Sequence, residues 1–241
     1  MTVIDCYRLD LSTSDDADLA LLDPRERARA SRFRFEKDRI RYIAAHAQVR
    51  RLLGLRLGLA PARVPIALTR HGKPVIGGSA ERQTAADEPA VEDGTCRFNL
   101  SHSGAVGYLA VAACSVGVDV ELHRPIQDLQ PLIDTYCSPA ETASLSEMAP
   151  AGRCVGFLGI WTRKEAALKA WGTGIGVIPL DQLHVGVDAQ TLAGRPAGPE
   201  ALPGEPAHYP ALHLRSVADA GQVLSIAAAT PQTMTIRFVV A

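Results

Sequence analysis

The sequence is poor in lysine, cysteine and aromatic residues, and each shortage narrows what the chain can be. Only five cysteines (Cys6, Cys96, Cys114, Cys137, Cys154) are scattered over 241 residues. No CxxC pair and an odd total argue against a disulfide framework and against a zinc site. No apolar run approaches the roughly 20 residues that cross a bilayer. The first twelve residues, MTVIDCYRLDLS, carry early acids and no apolar core, so they read as a strand and not as a signal peptide. The expectation is a cytoplasmic protein. Net charge is −1, so there is no global polybasic attraction to nucleic acid or membrane. Of 25 cationic residues only four are lysines, Lys37, Lys73, Lys164 and Lys169. Where arginine is the default, each lysine asks for a reason.

What is present divides into two parts of similar size. Asp23 as N-cap and Pro24 at the first helical position open a helix over 23–36. A second helix is expected over 38–58, with an apolar stripe through Ile40, Ile43, Ala47 and Leu52. Residues 62–76 hold an apolar run and the turn RHGKP. Residues 77–94, polar and without periodicity, read as a mobile loop. Strands follow at 95–100, 106–113 and 115–122, then a long helix over 139–171. Further strands are expected at 182–187, 211–216, 222–229 and 233–240. The order is α+β and not a regular βαβ alternation.

Three stretches carry chemistry. In SVGVDVEL, residues 115–122, strict alternation predicts a strand with one buried face. Its other face carries Asp119 and Glu121 side by side, either as an exposed edge-strand face or as oxygen ligands of a divalent cation such as Mg²⁺. In FNLSHSGAVGYLAVA, residues 98–112, Ser101, His102 and Ser103 are expected in a turn. A Ser–His hydrolase pair is one reading, but the GxSxG elbow is missing. A histidine satisfied within a turn is another, and an anion-binding turn fits the residue types better. In WTRKEAALKAWGTGIG, residues 161–176, helical spacing puts Trp161, Glu165, Leu168, Lys169 and Gly172 on one side. Glu165 and Lys169 form either a surface i,i+4 pair or part of a half-buried site, where Glu165 adds a third oxygen and the lysines meet phosphate. Glycines 172, 174 and 176 follow a helix and so do not open a dinucleotide-binding one.

Taken together, GKP, FNLSHS, GVDVE and WTRKEAALK, in this order, resemble the Sfp-type 4′-phosphopantetheinyl transferases. WxxKEA with Trp161 is similar to the tryptophan-containing branch, and the arginine-rich SRFRFEKDRIRYIAA resembles the N-terminal region more loosely. The resemblance implies two similar α+β halves, 1–114 and 115–241, about a pseudo-twofold axis, with the active site in the cleft between them. It implies a Mg²⁺-dependent enzyme, with Mn²⁺ as an alternative ion, that moves 4′-phosphopantetheine from coenzyme A to a serine of an apo carrier protein. Asp119, Glu121 and Glu165 would be the metal ligands. Ser101, His102, Lys73, Lys164 and Lys169 would contact the donor's phosphates, with Arg41, and Arg29 beside it, near the adenosine 3′-phosphate. Glu165, Lys169 and His102 would be catalytic. Acyl or peptidyl carrier domains are the implied partners, with no nucleic acid, no membrane and a working monomer. The competing readings are another Mg²⁺ enzyme of phosphate chemistry and a catalytically silent protein that binds coenzyme A or a carrier protein.

Overall fold

The computed structural model describes residues 1–77, 96–174, 176–187, 190–193, 195–196, 208–219 and 221–240. The loop expected at 77–94 lies, but for Gly77, outside the described residues. In chain order the elements of the first part are β1 (Thr2–Asp10), α1 (Asp16–Leu21), α2 (Pro24–Ala30), α3 (Glu36–Leu57), β2 (Ile66–Leu68), β3 (Pro74–Ile76), β4 (Arg97–Ser103) and β5 (Val106–Ala112). Then come β6 (Val116–Leu122), α4 (Leu129–Tyr136), α5 (Pro139–Glu147), α6 (Pro150–Trp171), β7 (Thr191–Leu192), β8 (Arg195–Pro196), β9 (His208–Tyr209), β10 (Leu212–Ala218), β11 (Gln222–Ala228) and β12 (Met234–Val240). The fold is α+β, as expected.

Two four-stranded sheets, ordered β12-β1-β5-β4 and β6-β11-β10-β7, form the middle of the molecule. Alternation along the strands explains the layering. Ile4, Cys6, Ala110, Val116, Val118, Val120 and Ile226 project between the two sheets and form one apolar layer. The other face of the first sheet, through Leu9, Leu109, Val111 and Phe98, packs against Ala45, Val49 and Leu53 of α3. The other face of the second sheet, through Val223, Ala227 and Leu214, packs against Leu158, Ala166, Ala167 and Ala170 of α6. The order of layers is therefore helix, sheet, sheet, helix. Connectivity repeats: the sequence strand, long helix, hairpin runs β1-α3-β4-β5 and again β6-α6-β10-β11, and both helices are 22 residues long. The C-terminal strand β12 returns to the first sheet and pairs in parallel with β1.

Four expectations are corrected. Ser101, His102 and Ser103 lie on strand β4 and not in a turn; the turn is the two-residue connection Gly104–Ala105, with Gly104 at φ 60°. The helix expected over 139–171 is two, because Pro150 has no amide hydrogen to donate to a preceding turn and instead starts α6. The helix expected over 23–36 stops at Ala30. Residues 182–187 form no strand. The amide hydrogens of Val185 and Gly186 go to Glu141 Oε1 at 2.8 and 3.2 Å, in place of a sheet partner.

Candidate active site

The site grows from the way β6 is placed. Its valine side chains fill the layer between the sheets, so the odd-numbered side chains must face α6. At Gly117 the helix is so close that a β-carbon would sit 2.0 Å from the Ala166 carbonyl oxygen. Further along the same face Asp119 is buried beside α6 and Glu121 is half-buried. The long α6 ends at Gly172, which takes the left-handed φ of 80° that a helix C-terminus favours in glycine. This presents Glu165 and Lys169, one turn apart, to the carboxylates of β6.

Lys169 Nζ lies 2.6 Å from Asp119 Oδ1 and also donates to Ser101 Oγ at 3.2 Å and to the Val118 carbonyl at 3.3 Å. Ser101 Oγ donates to the same Asp119 oxygen at 2.8 Å. Ser103 Oγ donates to Glu121 Oε2 at 2.9 Å. Two carboxylate oxygens here, Asp119 Oδ2 and Glu165 Oε1, are buried and accept no hydrogen bond. Burial pushes the Glu165 carboxyl up to about 7; Lys169 draws it down, while Asp119 and Glu121 add to the rise. Glu165, only 7% exposed, is therefore poised between its acid and base forms near neutral pH.

His102 points to the opposite face of β4 from Ser101 and Ser103. The protein around its ring, and then the charges of Lys169 and Arg41, hold its pKa below the usual imidazole range. Arg41 itself is 3.5 Å from Asp38. Lys73 reaches from the β2–β3 turn to the C-terminal end of α6 and donates to the Ala170 carbonyl and to Ser115 Oγ, both at 3.2 Å. Arg29 is exposed on α2.

One expected role does not fit this geometry. Lys164 lies on the other side of α6 from the β6 carboxylates, with its side chain 1% exposed and 2.6 Å from the buried Glu141. It also donates to the Tyr136 and Leu180 carbonyls at 2.7 and 2.6 Å. Its ammonium is spent on holding α4, α5 and the following loop to α6, so no phosphate can reach it. The Ser101 hydroxyl donates to Asp119 and accepts from Lys169. Ser103, expected only as part of a turn, holds Glu121, and Asn99 pairs with the β6 backbone at Val118. The period-two polar pattern of residues 99, 101 and 103 in FNLSHS was the available signal.

The residues fit a divalent cation. Two orphaned, buried carboxylate oxygens leave acceptor capacity that a hard cation uses. Among the described residues no three acidic, histidine or cysteine side chains stand close enough together to hold a metal ion by themselves. Lys169 covers one oxygen of Asp119 and Ser103 holds one of Glu121. That suits Mg²⁺, which takes one or two carboxylates and fills its shell with waters and substrate phosphates. A cleft of about 680 Å³ between β1, α3 and β12 contains none of these charged residues. Volume therefore does not mark the site; the converging charges do.

Comparison with known proteins identifies the family. Residues 13–115 match the N-terminal family of 4′-phosphopantetheinyl transferases, and residues 115–202 match the 4′-phosphopantetheinyl transferase superfamily. A 4′-phosphopantetheinyl transferase, HetI, of Nostoc sp. is 35% identical over 179 residues, covering 73% of this chain and 70% of that protein. The chain belongs to this superfamily. A phosphopantetheinyl transferase of Thraustochytrium sp. is 32% identical over 64% of this chain and 54% of its own length. The transferase Sfp of Bacillus subtilis is 25% identical over 69% of this chain and 67% of its own. The superfamily's relatives are enzymes that transfer a 4′-phosphopantetheinyl group, and the resemblance of the four motifs to the Sfp type is thereby upheld. Among the described residues no helix is long and apolar enough to cross a membrane.

Proposed function

We propose that this chain transfers 4′-phosphopantetheine from coenzyme A to a serine hydroxyl of an apo carrier protein and releases adenosine 3′,5′-bisphosphate. The observation that carries the reading is the meeting of Asp119, Glu121, Glu165 and Lys169 between β6 and α6, with two carboxylate oxygens buried and unsatisfied. Asp119, Glu121 and Glu165 would hold Mg²⁺ or Mn²⁺, and the ion, when bound, offsets the charge of the donor's pyrophosphate. Lys169, released from Asp119, and Lys73 at the α6 terminus meet phosphoryl oxygens on the same side. Arg41 extends the cationic surface around the β4 edge toward the donor's 3′-phosphate, and His102, held below the usual imidazole range, offers a ring N–H there as a hydrogen-bond donor.

In the transfer step the carrier's serine oxygen bonds to the β-phosphorus, and the bond from that phosphorus to the bridging oxygen breaks. The hydroxyl proton goes to Glu165, whose carboxylate keeps one buried oxygen, Oε1, without a hydrogen-bond donor. Lys169 stabilises the charge that develops on the departing phosphate oxygens. Asp119, Glu121, Glu165 and Lys169 all come from one chain, so the reading includes a working monomer.

Intact mass of an apo carrier protein after incubation with the chain, coenzyme A and Mg²⁺ tests this. The expected result is a gain of one phosphopantetheine group, lost with EDTA and lost with Asp119→Ala. No gain on acyl, polyketide or peptidyl carriers, together with measurable coenzyme A binding, would identify a silent binding protein instead.

A further inference from the structure

The strand that carries the carboxylates is an edge strand. β6 pairs with β11 on one side only, and an unpaired strand edge leaves amide hydrogens that need partners. Here the partners are side chains. Val118 N donates to Asn99 Oδ1 at 2.8 Å, Val120 N to Ser101 Oγ at 3.4 Å and Leu122 N to Ser103 Oγ at 3.2 Å. Three teeth two residues apart on β4 thus meet three amides two residues apart on β6, and join the edges of the two sheets.

The serine teeth do a second thing. A hydroxyl has one proton and two lone pairs. Because Ser103 Oγ accepts from the Leu122 amide, its proton is free to be donated, and it goes to Glu121 Oε2 at 2.9 Å. Ser101 repeats the pattern on Asp119 Oδ1. The third tooth is an internal control: the residue before Val118 is Gly117, so Asn99 holds the backbone with no carboxylate to orient. A shift of β6 along β4 would move both carboxylates together, and the teeth prevent it.

We propose that Ser103 is a positioning residue for the cation site, which orients Glu121 and leaves its other oxygen for the metal, while Asn99 serves the fold alone. This rests on the metal-dependent transferase reading given above. Groups that hydrogen-bond a metal ligand typically contribute 10- to 100-fold to metal affinity. Glu121 is half-buried, so the lower end applies.

The test is a titration of Mn²⁺ into the whole chain with saturating coenzyme A, free Mn²⁺ being read by electron paramagnetic resonance. Wild type, Ser103→Ala, Ser103→Thr and Asn99→Ala are compared, each checked for its melting temperature. The expected result is about tenfold weaker Mn²⁺ binding for Ser103→Ala, recovery to within about twofold for Ser103→Thr, which keeps the hydroxyl, and a lower melting temperature with wild-type affinity for Asn99→Ala. Wild-type affinity in Ser103→Ala, or equal weakening in Ser103→Thr and Asn99→Ala, would overturn the inference and leave the transferase reading standing. A wild-type chain that takes up no Mn²⁺ would overturn the metal reading and this inference with it.

Discussion

The two parts of the molecule each bury an aspartate on their leading strand, and the two are treated in opposite ways. Asp5 on β1 faces the α3 side and is 3% exposed. Arg56, near the end of α3, reaches its Oδ2 at 2.7 Å, and Arg237 of β12 reaches its Oδ1 at 2.6 Å. Asp119 on β6 faces α6, near whose end Lys169 covers one oxygen, and the other oxygen has no donor. The same placement on a repeated connectivity gives one carboxylate that is used up by two guanidiniums and one that is left half-satisfied. Arginine's planar fork suits the first task and a compact ammonium the second. The strand that closes off Asp5 is β12, which crosses back from the C-terminal part to pair with β1. A fully satisfied buried acid stabilises a fold; a half-satisfied one marks a place where something else binds.

The contrast can be pressed at other acids. Glu141 resembles Asp5: it is buried, pairs with Lys164 and accepts from the Ser138, Val185 and Gly186 amides. Those partners hold its carboxyl below the usual range against the pull of burial. Lys164→Met should leave that carboxylate without its counter-ion and cost about 3–5 kcal/mol, which is a drop of roughly 10 °C or more in melting temperature. Transfer per folded molecule should be unchanged, as measured by intact mass at a temperature where both proteins are folded. A loss of transfer with wild-type melting would put Lys164 back at the donor.

Glu165 resembles Asp119. Its folded pKa is raised, so its contribution to stability is fully present below pH 4.5 and is lost as pH rises through about 7. For the metal-free chain the loss is about 3 kcal/mol. Glu165→Gln removes it. The variant should melt like the wild type at pH 4.5 and higher by roughly 8 °C at pH 8, with transfer abolished. Equal melting curves at both pH values would show that Glu165 is not desolvated in this way. The smallest effect expected is on metal affinity: Lys169→Met frees Asp119 Oδ1 from a competing cation. Binding of Mn²⁺ in the absence of donor should tighten about fivefold while transfer is lost. Weaker binding would mean that Lys169 helps to assemble the site and does not compete for it.

Much of this was readable from local pattern, and the exceptions have physical causes. SVGVDVEL gives its strand and its carboxylate face directly, because side chains alternate whatever lies around them. The same alternation was present in Asn99, Ser101 and Ser103, but three polar residues beside a glycine also describe a turn, and only the pairing with β5 decides between them. Residues 182–187 have strand-like alternation too, yet Glu141 takes the amides a sheet would have used. Lys164 and Lys169 are five residues apart, which on a helix separates them by about 140°. The chain position shows that much, but not that the far side meets a buried glutamate. Nothing near Asp5 in sequence announces Arg237, since that contact is made by a strand from the other end of the chain.

The most direct test of the account compares Asp5→Asn with Asp119→Asn. Initial rates of phosphopantetheine transfer to one apo carrier would be followed by intact mass and set beside the melting temperature of each variant. Asp5→Asn should melt several degrees lower, through loss of about 2 kcal/mol at a pair whose arginines are partly exposed, and transfer within about twofold of wild type per folded molecule. Asp119→Asn should melt within a few degrees of wild type and lose at least about 100-fold in rate. Active Asp119→Asn, or an Asp5→Asn that is well folded and inactive, would contradict the assignment of the site to the β6–α6 face.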